Sequence, residues 1–254
     1  MIPDRVEAAL WAAYLRNRNV DAGTAGDGAI PVAGGYAIFV AGSMLDFALG
    51  AGSTRPLRED DLAVVEEFYG ARAHPARFEL DATVLGRDGD LLRARGYAVE
   101  DLTLAILEGP TLPATAPGPV EVRTTTNRRA WTELAARAFA DCEPEQQPLR
   151  HTLEASAAFA QVLSVASLNG QDVGVAGLTV YDDLALLLSG AVLPAYRGRG
   201  VHTALLGARL VLAHALGATR AAIKTVPDSA VERSSRHFDF TRTGIRKRVR
   251  REAA

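Results

Sequence analysis

One stretch, LALLLSGAVLPAYRGRGVHTALLGARLVLAHALG at residues 184–217, limits what this chain can fold into more than any other. An apolar run of strand length ends at Leu193, and Pro194 stops it, because proline has no N–H to give a ladder. Two arginines then alternate with two glycines, as Arg197-Gly198-Arg199-Gly200. An alanine- and leucine-rich segment follows and continues for roughly five helical turns. Strand, tight turn and long helix in that order call for a layered α/β architecture.

The segment EGPTLPATAPGPVEV, residues 108–122, marks a seam. Pro110, Pro113, Pro117 and Pro119 fix φ and remove donors, so the expectation is a semi-rigid linker over 110–119. It separates a domain at 1–109 from one at 120–254, a division the 254-residue length accommodates.

The first half opens on a helix, with Val6, Leu10, Ala13 and Tyr14 at helical spacing. AGDGAIPVAGG reads as a turn-rich loop and GYAIFVAGSM as a strand. A second helix starts near Glu59, Asp60 and Asp61, three acids suited to the positive end of a helix dipole. ARFEL is a strand, LLRARGY a helix ending at Gly96, and Leu102, Leu104 and Ile106 alternate in a closing strand. The second half follows a similar order. VEVRT is a strand, and Thr126 or Asn127 caps a helix carrying Trp131, Leu134, Ala135, Ala138 and Phe139. A loop rich in Glu and Gln leads to strand-like runs AFAQVLSVASL, DVGVAGLTVY and LALLLSGAVL, with turns at Asn169-Gly170 and Asp182-Asp183. RAAIKTV, a short helix SAVERSSRHFDF and a last strand GIRKRVRRE complete the chain. LLRARGYAVEDLTLAIL aligns with SSRHFDFTRTGIRKRVR, an internal repeat, although GAGSTRPLRED replaces the arginine–glycine turn in the first half.

A glycine-rich turn before a helix has two readings. It serves as a tight turn, with glycine supplying φ > 0 and arginine keeping the loop solvated. Alternatively it cradles phosphate, because the first helical turn leaves N–H groups unpaired with the dipole behind them. The stretch is not a P-loop, since no Gly-Lys-Ser/Thr follows, and Gly-x-Gly-x-x-Gly fails at Thr203.

VLPAYRGRGVHTALL resembles the acyl-CoA-binding motif of the GNAT superfamily of N-acetyltransferases, Arg/Gln-x-x-Gly-x-Gly/Ala after a strand ending in Val-x-Pro. The order of elements from Val120 onward agrees with it, and the first half is similar to the degenerate copy of tandem members. The resemblance implies two mixed α/β halves, each a central, mostly antiparallel sheet flanked by helices. It implies that backbone groups of Val192 and Leu193 pair with a pantetheine arm. The N–H groups from Arg197 through Gly198, Arg199, Gly200 and Val201 to His202 would hold a pyrophosphate, with Thr203 adding a hydroxyl. His202 stands where the family has Gly or Ala, as a helix-start histidine or a ligand contact. An Asn and then a Tyr, the Tyr a proton donor to the leaving thiolate, are common on the helix before the last strand. Ser234 and Ser235 hold those slots here, and no tyrosine follows Tyr196. Ser234 is therefore assigned to the cofactor and Ser235 to the acid's place. For the general base the acidic candidates are Asp182 in the hairpin turn and Glu143 in the loop after the Trp131 helix. Asp172, Ser189, Asp183, Asp141, Glu145 and His151 are further candidates.

The implied function is transfer of an acetyl group from acetyl-CoA, or of another acyl group from its CoA thioester, to a small-molecule primary amine by direct attack. Alternatives are an acyl-CoA-binding sensor without turnover, or decarboxylation or O-acylation on the same fold. No metal is expected. The net charge of −2 gives no global drive toward nucleic acid or anionic lipid, and no apolar run reaches bilayer length. The basic end IRKRVRRE reads as an edge strand guarded by charge. The single cysteine, Cys142, forms no internal disulfide, which suits a reducing cytoplasm, and a monomer or homodimer is expected.

Overall fold

The computed structural model describes residues 3–17, 26–114, 118–141 and 145–251. They divide into two compact units. The first takes those within Met1–Ala41, Leu45–Ala105 and Gly244–Ala254, the second those within Gly42–Met44 and Ile106–Thr243. The described residues of the Pro-rich segment, 110–114 and 118–119, lie within the second unit, and the last strand belongs mostly to the first.

The first unit contains α1 (Pro3–Asn17), β1 (Gly28–Val32), β2 (Gly35–Phe39), β3 (Ala48–Leu49), α2 (Glu59–Gly70), β4 (Ala76–Asp81) and α3 (Ala82–Ala94). It shares β5 (Ala98–Pro110) and β11 (Thr241–Arg251) with the second unit. Its strands run in the order β1-β2-β3-β4-β11-β5. β1/β2, β2/β3 and β4/β11 are antiparallel and β3/β4 is parallel. Leu62, Val65, Phe68 and Tyr69 of α2 pack with Phe39, Phe78 and Leu92. The buried Tyr69 hydroxyl donates to Ile38 O (2.8 Å) and accepts from Ile38 N–H (3.2 Å), so it costs no unsatisfied polar group.

Two elements differ from the sequence reading. AGDGAIPVAGG holds a strand, β1, joined to β2 by a turn in which Ala33 (φ 45) and Gly34 (φ 89) are both left-handed. Alanine is an unusual residue for that turn, and β1 tolerates Pro31 as the terminal strand of the order. The basic strand β11 is not an edge strand, because it lies between β4 and β5. Its arginines are matched by carboxylates. Arg246, 2% exposed, pairs with Asp4 and Asp81, Arg248 with Glu79 (3.3 Å), and Arg251 with Glu66. Those partners come from α1, α2 and β4 of the same unit, which is why the strand sits there.

The second unit contains β6 (Glu121–Thr125), α4 (Arg128–Phe139), α5 (Gln146–Phe159), β7 (Val162–Leu168), β8 (Gln171–Tyr181), β9 (Leu184–Val192), α6 (Val201–Ala215), β10 (Arg220–Thr225) and α7 (Ala230–Ser235). Its strands run β5-β10-β9-β8-β7-β6. β6/β7, β7/β8 and β8/β9 are antiparallel, and β9/β10 is parallel. Asn127 caps α4 by accepting from Ala130 N–H (3.0 Å). Trp131, 1% exposed, donates through Nε1 to Ser164 O (3.2 Å) and Ala176 O (3.3 Å), tying α4 to β7 and β8. Asn169 (φ 53) and Gly170 (φ 76) make the expected hairpin turn. α5 replaces the expected loop and the start of the AFAQ strand. Pro148 is tolerated in its first turn, where N–H groups are unpaired anyway. Leu149, Leu153 and Ala157 bury one face of it with Trp131 and Leu134.

Thus the fold is mixed α/β, with a mostly antiparallel sheet and flanking helices in each unit. The strand–loop–helix–strand–helix–strand order occurs twice, as β3-α2-β4-α3-β5 and β9-α6-β10-α7-β11.

Candidate active site

β9 is the strand on which the site is built. It pairs with β10 only from Leu184 to Leu187, opposite Arg220 to Ile223, so residues 188–192 have no β10 partner in the ladder. Over the same stretch the register with β8 shifts. Val175 faces Ala191 while Gly177 faces Leu188, leaving an extra residue on β9. Ser189 takes φ 47, a left-handed value, and this β-bulge bends the strand where its outer edge becomes free.

After β9 a 3-10 turn at Pro194–Tyr196 redirects the chain. Gly198 (φ 73) and Gly200 (φ 78) then take left-handed conformations, and Gly200 is the N-cap of α6. A Cβ on either glycine would meet nothing within 4 Å, so the space before the helix is open. The first bond back to the cap runs from Ala204 N–H to Gly200 O (2.9 Å). The N–H groups of Val201, His202 and Thr203 precede it and, by helix geometry, have no intrahelical acceptor. A cavity of about 360 Å³ lies here, with Val192, Tyr196, Gly200, His202, Thr203 and Ser234 in its wall. A second, of about 660 Å³, runs along Arg199, Thr203, Gly207, Val120 and Phe238.

The two arginines of the turn have different employment. Arg197 donates to Val192 O (3.1 Å) and Ala138 O (2.9 Å), and pairs with Asp141 (2.8 Å). It ties the loop to the end of α4. Arg199 is exposed, with its guanidinium over the Tyr196 ring at 5.4 Å, and it lines the larger cavity. Arg199 thus leaves its guanidinium at the wall of the larger cavity. Tyr196 O–H donates to Gln171 Oε1 (2.6 Å).

His202 is neither an exposed helix-start residue nor aimed away from the cavity. Its Nδ1 lies 3.1 Å from Ser234 Oγ, and Ser234 donates its own proton to Val231 O (3.0 Å). Nδ1 then carries the imidazole proton and Nε2 is the acceptor. Burial pushes the imidazole down to about 4, with the Arg209 charge adding to the effect, so His202 is neutral at neutral pH. Ser234 faces the cavity, whereas Ser235 is fully buried and donates to Glu232 O (2.9 Å). Val192 supplies its carbonyl to Arg197, and Leu193 N–H is spent on Val173 O (2.9 Å).

The acid and base candidates do not converge. Asp182 (φ 50) is exposed in the β8–β9 turn, at the opposite end of β9 from Val192. Eight residue steps of strand separate Leu184 from Val192, about 26 Å. Asp183 pairs with Arg220 (3.0 Å), and Asp172 with Arg123 (2.8 Å). His151 lies 3.0 Å from Gly42 O, and Glu145 is the exposed N-cap of α5. Glu143 and Cys142 lie outside the described residues. Among the described residues no cluster of three His, Cys, Asp or Glu side chains could hold a metal ion.

Sequence reading missed Arg209. It sits on α6, 2% exposed, and donates through Nε to Leu205 O (3.2 Å) and through Nη1 to Leu188 O (3.3 Å) and Gly177 O (3.4 Å). Burial lowers its pKa to about 10, which leaves it charged at neutral pH. Its one sequence signal is a cation seven residues beyond His202, hence on the same helix face.

The corresponding loop of the first unit is closed. Arg87 donates to Gly52 O (2.9 Å), Leu57 N–H to Asp88 (3.0 Å), and Arg55 clasps Asp61 (2.6 and 2.7 Å). A Cβ on Gly52 would lie 2.7 Å from Val84. Asp61 also accepts from Arg58 N–H (2.9 Å), so a carboxylate occupies the start of α2. The Arg55 guanidinium holds that carboxylate below its usual range. The start of α6 is open, whereas the start of α2 already holds the Asp61 carboxylate, and the small cavity of about 140 Å³ beside residues 50–53 is lined by Asp4, Glu79 and Asp81.

Comparison with known proteins agrees with this geometry. Residues 127–234, within the second unit, match the family described as Acetyltransferase (GNAT) family. No curated protein matches the sequence. Among solved structures, a GCN5-related N-acetyltransferase from Kribbella flavida superposes with a TM-score of 0.66 at 15% identity, covering 100% of this chain and 97% of that one. A tandem GNAT protein from the clavulanic acid biosynthesis pathway gives 0.59 at 16% identity, over 82% of this chain and 74% of that one. A GCN5-related N-acetyltransferase from Sphaerobacter thermophilus gives 0.54 at 19%, over 73% and 64%. These likenesses establish the tandem GNAT fold. Among the described residues no helix is long and apolar enough to cross a membrane.

Proposed function

We propose that the second unit transfers an acyl group from an acyl-CoA, acetyl-CoA being the simplest, to a small primary amine. The observation that carries this reading is the open start of α6 beside the unpaired edge of β9, with the 360 Å³ cavity between them. The N–H groups of residues 201–203 and the Arg199 guanidinium hold the pyrophosphate. The free edge of β9 pairs with the extended arm as a neighbouring strand would. A bound acyl-CoA supplies an activated thioester.

The amine nitrogen attacks the thioester carbon, a C–N bond forms, the C–S bond breaks, and the amine proton passes to solvent. The residues lining the cavity offer placement more than proton transfer. Neutral His202 is too weak a base to take a proton from an ammonium ion, and Ser235 faces away. The acceptor therefore reacts as free amine, and fixed geometry provides most of the rate gain. An amine panel with thiol release as readout tests the reading; CoA release that depends on an added amine is expected. The lack of a tyrosine in α7, where Ser234 and Ser235 hold the slots, favours a second reading, a CoA-thioester sensor, which binds the same ligands but releases no thiol with any amine.

A further inference from the structure

The guanidinium of Arg209 is 2% exposed and its hydrogen bonds go only to three backbone carbonyls, at 3.2 to 3.4 Å. No carboxylate among the described residues pairs with it, and Nη2 makes no hydrogen bond there. Nη2 is nevertheless not sealed from solvent. A buried cation without a counter-ion is expensive, and proteins keep one where something else supplies the charge. Arg246, buried to the same degree in the first unit, has both Asp4 and Asp81.

Position tells what supplies it here. Nη2 lies under the β9 bulge, 3.1 Å from where a Cβ on Gly190 would be, so glycine at 190 makes room for it. Leu188, whose carbonyl Arg209 holds, is the first β9 residue beyond the ladder with β10. Arg209 is also on the same α6 face as His202, two turns or about 10 Å further in from the open helix start. A CoA thioester anchored at that start and extended along the free edge of β9 brings its acyl end toward the bulge.

We propose that the acyl group carries a carboxylate at its far end and that Arg209 is its counter-charge. The donor is then the CoA thioester of a short dicarboxylic acid, of the malonyl or succinyl kind. This rests on the acyl-CoA reading above and names the acyl class. Arg209 acts as a specificity-determining residue, since it meets the end of the acyl group remote from the thioester carbon.

The test is calorimetric titration of the full chain with malonyl-, succinyl-, butyryl- and acetyl-CoA, in wild type, Arg209→Met and Arg209→Lys. Butyryl matches succinyl in length without its charge. The expected result is wild-type binding of malonyl- or succinyl-CoA at least about ten-fold tighter than of butyryl- and acetyl-CoA. Arg209→Met should lose that preference and keep the butyryl- and acetyl-CoA affinities, while Arg209→Lys retains part of it. Equal wild-type affinity for all four overturns the inference and leaves the acyl-CoA reading standing; no binding of any of them removes that reading itself. A preference that survives in Arg209→Met overturns the role of Arg209. If that variant does not fold, the wild-type ranking and the lysine variant still decide. No preference among thioesters, with an α-amino acid acylated faster than its amide, places the carboxylate on the acceptor and also overturns the inference.

Discussion

Gly200→Glu tests the cradle most directly. Gly200 sits at φ 78 and ψ −2, so any side chain there costs about 1–2 kcal/mol of backbone strain. A carboxylate at a helix start returns about 0.3–1 kcal/mol. The net loss of stability is then under about 2 kcal/mol, a fall of roughly 2–6 °C in Tm for a chain of this size. No atoms lie within 4 Å of the new Cβ, so nothing clashes and the variant folds. Its carboxylate projects into the space before residues 201–203, about 5 Å from a phosphate held there. At an effective dielectric of about 20 that is about 3 kcal/mol of repulsion, or a hundred-fold or more in Kd. Calorimetric titration with CoA, beside circular dichroism to show the fold, reads both numbers. Gly200→Ala carries the same strain without the charge and separates the two causes. A folded Gly200→Glu protein that binds CoA within about three-fold of wild type refutes the pyrophosphate cradle.

Other expectations follow from the same geometry. CoA titration should saturate at one molecule per chain, because Asp61 and Arg87 close the first unit's loop; two equivalent sites would contradict that. His202 titrates at about 4 when folded and near 6.5 when unfolded, so protons favour the unfolded chain. Its contribution is whole above about pH 6.5 and is lost as pH falls toward 4, up to about 3 kcal/mol; denaturant midpoints across that range should flatten in His202→Asn. Asp182→Asn should leave kcat/KM within about two-fold, since β9 separates that turn from the cavity by about 26 Å; a loss above about a hundred-fold would return Asp182 to the chemistry. Arg197→Ala should cost about 1–2 kcal/mol in urea unfolding, because it removes a solvent-screened pair with Asp141 and hydrogen bonds to the carbonyls of Ala138 and Val192; an unchanged midpoint would show that the latch contributes nothing.

Local rules made much of this protein readable from its residues. Left-handed glycines at 198 and 200, the apolar face of α6 and the Asn169-Gly170 turn are properties of short segments, so sequence alone determined them. Even locally, conflicting signals misled: the turn-rich composition of AGDGAIPVAGG hid β1, and a Glu/Gln-rich start hid α5. What involves residues far apart in the chain was decided by tertiary structure. Ser234 and Ser235 look equivalent in sequence, yet one faces the cavity and the other the core. Arg197 and Arg199 share a motif, but Asp141 and Ala138, more than fifty residues away, claim the first, while the second stays exposed at a cavity wall. The arginines of β11 resemble an edge guard until Asp4, Glu79 and Asp81 neutralise them inside the first unit. In β11 charge makes the difference, because burying an unpaired ion is costly and the fold brings it its partners. Arg209, which the chain itself provides with carbonyls and no carboxylate, is where that rule points beyond the chain.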